Sequence, residues 1–422
     1  MNNKGIKQLF RTGFFHIFGS STLNKIVTFL SSVVLVRILS KAEYGVFTYA
    51  WNIYSIVLLL NGFGMETGVL QLCSERSDDR LYRDSVTGYG LRFGLAADIL
   101  LAVILLGIGL FAPLTVEGSG KLLILLSLLP MVQFLYSIIT SRLRSEKRNQ
   151  EYSRLTLFNT VAVFLLTAAL AFLLRQAGMV LGYYVAYTCS ILLAVKTGGF
   201  RMEPAPGPEK AERKALLSIA LVSMCNNGLS QLMYLLDVFV LGIVDPQETL
   251  LASYKVATLI PSALPFIPLS LIIYLYPYFA EHRNDRQWCL KRYKQILLGL
   301  GSFNALLSLG LFLLAPWIVR LLFGEVYLDS VPVFRLLSLN YFISGTFRIL
   351  SGNLLVTQRK LKFNLLVALI SGGANVVADL LFIRWWGSLG AALATVLVTL
   401  ISSVLSTTYL IYTFRRIPDN KE

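Results

Sequence analysis

Histidine is nearly absent from this chain: His16 and His282 are the only two in 422 residues. The four cysteines, Cys73, Cys189, Cys225 and Cys289, are scattered, so neither a disulfide framework nor a Cys/His metal site is expected. There is no phosphate-binding GxxxxGK[ST] loop, no HExxH, no Gly-rich dinucleotide fingerprint and no GxSxG. An ATPase module and the common hydrolase and dehydrogenase chemistries therefore have no support, no cofactor is expected, and transport would be coupled to a gradient or be facilitated movement. Charge is scarce as well, at 14% of residues, and acidic groups are the scarcer sign, 23 against 38 Lys+Arg. The resulting +15 does not point to nucleic acid, because no aromatic–basic stripe of the kind that stacks single strands is present.

What the chain has in abundance is apolar sequence, 55% of all residues. It falls into about twelve long segments, from Gly13–Val36 to Leu389–Phe414, each near the roughly 20 residues that cross a hydrocarbon core. The basic residues keep time with them. Twenty-seven of the 38 Lys+Arg lie at the termini (Lys4, Lys7 and Arg11 at one end, Lys421 among those at the other) and in every second gap; eight lie in the remaining gaps, Lys255 and Arg175 among them. Loops rich in Lys/Arg stay in the cytoplasm, so both termini are expected there and most of the net charge is orientation signal. The first apolar stretch is long enough to span and lacks a small-residue cleavage site, so it reads as a span, not a signal peptide.

The longest polar stretch, 197–214, carries Pro204, Pro206, Pro208 and several charges. It reads as a linker between an N-terminal bundle, 1–196, and a C-terminal bundle, 215–422. The halves echo each other. Ser20, Ser21, Asn24, Lys25 and Thr28 recur as Asn226, Asn227, Ser230, Gln231 and Tyr234 at an offset of 206, and Gln133, Ser137 and Thr140 recur as Ser344, Arg348 and Ser351 at 211. The expected fold is an all-α polytopic membrane protein, about twelve transmembrane helices in two parallel six-helix bundles around a central cavity.

Polar stripes on spans serve helix packing or line a cavity. Ionisable groups at depth, each costing about 2.5–3.5 kcal/mol to insert, tilt that choice towards function. The expected substrate-contacting set is Lys25 with Asn24, Asn227 and Gln231 from the paired stripes, and Arg348, which shares a face with Asn340, Ser344 and Ser351. An Arg there offers a planar fork of donors to phosphate or carboxylate. Asp237 and Asp379 are candidates for coupling to Na⁺ or H⁺. Arg92 and Asp98 read as either structural or cavity charges, Asp98 being also a candidate partner for Arg348. Glu66 and Arg37 read as interfacial, and His16 as packed. Pro261, Pro265 and Pro268 predict a bent or broken eighth span.

Two loops carry a family resemblance: Arg37-Ile-Leu-Ser-Lys-Ala-Glu-Tyr-Gly, and Leu322-Phe-Gly-Glu-Val-Tyr-Leu-Asp-Ser-Val-Pro-Val-Phe-Arg-Leu-Leu-Ser, with the basic Gln358-Arg359-Lys360-Leu361-Lys362 in support. Together with the twelve-span pattern they resemble Wzx-type polysaccharide flippases of the multidrug/oligosaccharidyl-lipid/polysaccharide exporter superfamily. The resemblance implies a V-shaped pair of bundles around an often cationic cavity in the bacterial cytoplasmic membrane. It also implies export of undecaprenyl-diphosphate-linked oligosaccharide, such as an O-antigen or capsule repeat, driven by Na⁺, H⁺ or the membrane potential. The family has no fixed cavity motif, so no residue role is carried over. Membrane lipids, other polysaccharide-assembly proteins and a monomeric state complete the expectation. A cation-coupled small-molecule exporter is the competing reading, and a membrane polymerase or acyltransferase a third.

Overall fold

Helix is the only regular structure among the described residues, which are 14–418 apart from 77, 199 and 201 of a computed structural model. Lys4, Lys7, Arg11, Arg201 and Lys421 of the basic pattern lie outside them, as do the side chains of His16, Ser20, Ser21, Asn226, Ser230 and Tyr234. The order is α1 (Phe14–Ile38), α2 (Lys41–Leu58), α3 (Met65–Glu75), α4 (Arg80–Phe111), α5 (Ser119–Leu126), α6 (Leu129–Ser145), α7 (Asn149–Lys196), α8 (Lys210–Val244), α9 (Glu248–Ala263), α10 (Phe266–Glu281), α11 (Arg286–Leu322), α12 (Val331–Ile343), α13 (Ile349–Thr357) and α14 (Leu361–Arg415). Six helical runs are long and apolar enough to cross a bilayer, or seven if the bent pair α5–α6 counts as one. The chain is thus a multi-pass membrane protein. Its exposed surface is correspondingly rich in Leu, Ile, Val and Phe, as a lipid-facing surface requires.

Two of those runs are hairpins. At 48 residues, α7 would be about 72 Å long if straight, more than twice the roughly 30 Å core. It breaks at Arg175 (φ 56°, ψ −134°) and doubles back. A Cβ on Gly178 would lie 1.9 Å from the Leu170 carbonyl oxygen, and Ser190 Oγ donates to Asn159 Oδ1 at 2.9 Å. The same device recurs in α14, where Gly387 (φ 54°, ψ −129°) makes the break and a Cβ on Gly390 would lie 1.9 Å from the Phe382 oxygen. Gly387, Gly390 and Phe382 each stand 212 residues after Arg175, Gly178 and Leu170. A one-residue reversal with the same backbone angles in both places gives the internal repeat a geometric basis independent of the polar stripes.

By internal contacts the chain divides into two units, Met1–Leu235 and Leu236–Glu422. The division falls within α8, downstream of the 197–214 stretch. That stretch is pinned to the first unit: Arg80 pairs with Glu203 at 2.7 Å, the Glu203 N–H donates to Asp84 Oδ2 at 3.3 Å, and Arg76 pairs with Glu212 at 3.1 Å. The proline-rich eighth span is interrupted as its sequence predicts, with α9 ending at Ala263 and α10 starting at Phe266.

Both signature loops are structural clamps. Ser40 caps α2, accepting from the Glu43 N–H while the Glu43 carboxylate accepts from the Ser40 N–H at 2.8 Å, a capping box. The α7 reversal holds this loop from the other side: Arg175 donates to the Ile38 carbonyl at 2.9 Å and Gln176 to that of Glu43 at 2.7 Å. In the second loop Gly324 takes φ 107°, and Asp329 accepts from Ser253 Oγ at 2.8 Å.

Candidate functional site

In the first unit the helix breaks within the last residues of the second expected span, Tyr44–Met65, and resumes beyond it. Between α2 and α3, Asn61–Gly64 forms a single 3₁₀ turn, with Gly62, Phe63 and Gly64 all at positive φ (51°, 48° and 73°). The Asn-Gly-Phe-Gly sequence was the available signal. Asp98 in α4 holds the turn open. Its Oδ1 accepts from the Gly62 N–H at 2.7 Å, while Asn61 Nδ2 reaches the Pro130 carbonyl at 3.0 Å and Asp98 Oδ2 at 3.4 Å. Asp98 thus satisfies backbone that a broken helix leaves unpaired.

The break opens a cavity of about 550 Å³ lined by Asn61, Glu66 and Thr67 on one side and Asn227, Gly228 and Gln231 on the other. Asn227 and Gln231 of the expected stripe therefore do line a cavity. Glu66, read as interfacial, is corrected: it sits in the first turn of α3 just past the break and faces this space. Amides, hydroxyls and one carboxylate make it a hydrogen-bonding cavity without a basic group. Lys25 is exposed on α1 and Asn24 is half-buried beside it; neither lines this cavity. Arg92 is exposed on α4, consistent with a snorkelling side chain.

In the second unit, Arg348 ends a five-residue π-helical insertion, Ser344–Arg348, between α12 and α13. Such insertions are rare and recur at functional positions. Buried Asn304 of α11 braces it, donating to Thr346 Oγ1 at 3.2 Å and accepting from Tyr341 Oη at 2.7 Å. The Arg348 side chain is half-buried, and no described residue of its unit forms an ion pair or hydrogen bond with it. The expectation that Ser351 shares its polar face is corrected. The extra residue in the π turn re-phases the helix, and Ser351 is buried between Tyr293 Oη at 3.0 Å and Thr407 Oγ1 at 2.9 Å. Gln133, its counterpart stripe, likewise packs, accepting from Tyr54 Oη at 2.8 Å. Lys255, read as lying in a loop, stands in α9 seven residues after its first, a deep cation that loop counting missed.

The second unit also joins Asp237 of α8 to Asp379 of α14. Asp237 Oδ2 accepts from Tyr254 Oη and from Thr395 Oγ1, both at 2.8 Å. Asn375 and Asp379 of α14 stand close to Asp237. Both oxygens of Asp379 and Oδ1 of Asn375 are buried with no donor among the described residues. Two carboxyls and an amide oxygen that converge without a counter-charge suit a shared proton or a small monovalent cation bound through hard oxygen ligands. Sequence spacing concealed the pair, since the two residues are 142 apart.

The chain matches the polysaccharide biosynthesis protein family over residues 34–332. It belongs to that family. It is 24% identical over 395 residues to the lipopolysaccharide biosynthesis protein WzxC of Escherichia coli, covering 88% of this chain and 75% of that one. It is 23% identical over 403 residues to a membrane protein of the cps region of Klebsiella pneumoniae, covering 92% and 79%. Among solved structures it superposes on an inward-facing multidrug-resistance MATE transporter of the MOP superfamily with TM-score 0.80 (14% identity, 94% of this chain and 96% of that one). It superposes on the lipid II flippase MurJ in an inward closed conformation with TM-score 0.71 (16% identity, 95% and 89%). The fold is the MOP fold, and this family member is a membrane flippase or transporter.

Proposed function

We propose that this chain is a flippase for a lipid-linked oligosaccharide, moving an undecaprenyl-diphosphate-linked repeat from the inner to the outer leaflet. In this reading it has twelve spans in two six-helix bundles, with both termini cytoplasmic. The observation that carries the reading is Arg348, a half-buried guanidinium on a π-helical segment inside a span, without a carboxylate partner among the described residues of its unit. A diphosphate is the ligand that such a planar fork suits. Lys25 is a further basic residue in the first unit, and the hydrogen-bonding cavity at the α2–α3 break, which carries the Glu66 carboxylate, supports contact with hydroxyl-rich sugar. The names of the WzxC and MurJ relatives point the same way.

The driving force is partly electrical. Moving a diphosphate of about two negative charges out of a negative interior gains roughly 4–5 kcal/mol at about 100 mV if no counter-ion travels with it. The Asp237–Asp379 pair supports a second coupling, to Na⁺ or H⁺. It also supports the competing reading of a cation-coupled exporter, which the same assay separates.

The test is reconstitution in vesicles with a labelled lipid-linked oligosaccharide. Replacing Lys25 and Arg348 together by Gln should cut head-group crossing at least about tenfold, one charge-assisted contact being worth about 1.5–3 kcal/mol, while the variant elutes and melts as a folded protein. Undiminished crossing removes the assignment of these two residues. Transport of a soluble organic cation with no movement of lipid-linked sugar would replace the function itself.

A further inference from the structure

We propose that the first unit carries a binding site for an anionic glycerophospholipid at the face where basic residues gather, separate from the transported substrate. A second cavity of about 550 Å³ opens there, lined by Arg148 just before α7, by Gln150, Glu151 and Arg154 in its first turns, by Leu193 and Ala194 at its end, and by Leu143 at the end of α6; the Glu151 carboxylate is taken up by Arg148. This volume lies within the roughly 300–1,000 Å³ typical of small-molecule pockets.

The two arginines do different jobs. Arg148 is committed to protein: its guanidinium donates to Glu151 Oε1 at 2.7 Å, to Glu146 Oε2 at 3.4 Å and to the Gly198 carbonyl at 3.4 Å. It is a fixed wall. Arg154 is exposed and has no ion pair or hydrogen bond to any described residue. Its five N–H donors, with the exposed Gln150 amide, are the groups left to bind a ligand, and together they suit a phosphodiester.

The floor is what selects a lipid. Leu143, Leu155 and Ala194 belong to one packed apolar cluster with Ile139, so the base of the cavity is rigid and greasy. Leu192 and Val195, on the same turn of α7, are 52% and 50% exposed on a membrane helix and so border acyl chains. A soluble phosphate would leave that floor unpaired with anything. A lipid places its phosphate on Arg154 and its upper methylenes on the leucines. Basic pockets between helix ends are where such head groups are held.

The experiment uses the full-length protein in nanodiscs of equal parts phosphatidylglycerol and phosphatidylcholine. Native mass spectrometry counts the lipids retained on release from the disc. Arg154→Gln should lower retained phosphatidylglycerol at least about tenfold, a charge-assisted contact being worth about 1.5–3 kcal/mol. Lys147→Gln is the control, since it removes the same charge from the adjoining α6–α7 turn, outside the cavity lining. Diffuse attraction to a charged surface is worth about 1 kcal/mol, so this variant should lose about fivefold or less. Gln150→Ala should fall between them. Equal loss in R154Q and K147Q, or no loss in R154Q, overturns the site. Retention of added undecaprenyl phosphate in place of phosphatidylglycerol overturns the occupant. Because the readout is retained lipid and not transport, neither result depends on the flippase proposal.

Discussion

Asp379 lies close to Asp237 with both of its own carboxyl oxygens buried and without a donor among the described residues, while Asp237 takes two hydroxyl hydrogen bonds on one oxygen. The asymmetry makes Asp379 the group that must find a proton or a cation. Asp379→Asn supplies an amide donor towards Asp237 and removes one acidic group. Stabilisation of the protein by Na⁺, read as a rise in melting temperature with added salt of fixed ionic strength, should disappear in D379N, whereas basal stability should hold or rise by about 1–2 kcal/mol. An unchanged Na⁺ effect in D379N would place the coupling elsewhere.

Asp98 holds the α2–α3 break through a single short bond to the Gly62 N–H. Removing the carboxyl leaves that N–H buried and unpaired, at a cost of about 1–3 kcal/mol. Asp98→Ala should therefore lower thermal stability by that amount and speed hydrogen exchange around Gly62. Asp98→Asn, which keeps an acceptor, should lose roughly half as much. Gly62→Ala should be worse than either, because a Cβ there would meet the Phe134 ring at 2.2 Å on a backbone already at φ 51°.

The two hairpin reversals offer a paired test of backbone strain. Arg175 occupies φ 56°, ψ −134°, a region costly for any residue with a Cβ, whereas its counterpart is Gly387. Arg175→Gly should relieve about 1–3 kcal/mol of strain and forfeit one exposed hydrogen bond to Ile38, worth about 0.5–1.5 kcal/mol. The net expectation is a melting temperature that is unchanged or higher. Gly387→Ala should destabilise by about 1 kcal/mol or more, and Gly390→Ala by more still, since its Cβ would overlap the Phe382 carbonyl.

Much of this fold was legible because a bilayer makes hydropathy and charge act as separate signals. Apolar length marked the spans, and the three closely spaced prolines marked the break between α9 and α10. What escaped was set by local backbone and by distance in sequence. Asn61–Gly64 reads as apolar enough to continue a helix, and its break is decided by Asp98, a residue in another helix. The π insertion at Ser344–Arg348 re-phases a helix that a 3.6-residue period reads as one stripe, so Ser351 was assigned the wrong face. Asp237 and Asp379 were each noted, but only the packing of α8 against α14 makes them a pair.

The basic pattern also conceals chemistry. Arg142 belongs to the basic pattern that signals orientation, yet its side chain is 4% exposed and bound on three sides. It donates to Asp84 Oδ1 at 2.6 Å, to Glu146 Oε1 at 2.6 Å and to Thr87 Oγ1 at 2.8 Å. Asp84 in turn accepts from the Glu203 N–H and so ties the 197–214 stretch to the helix ends. Arg142→Met strands a buried carboxylate and should cost about 3–5 kcal/mol, while Arg142→Met with Asp84→Leu, which removes both charges, should recover most of that. Arg144, exposed in the same last turn of α6, should tolerate Gln within about 0.5 kcal/mol. Denaturation midpoints of the three variants decide the matter. If R142M and R144Q melt alike, Arg142 is orientation signal after all and the Asp84 contact holds nothing.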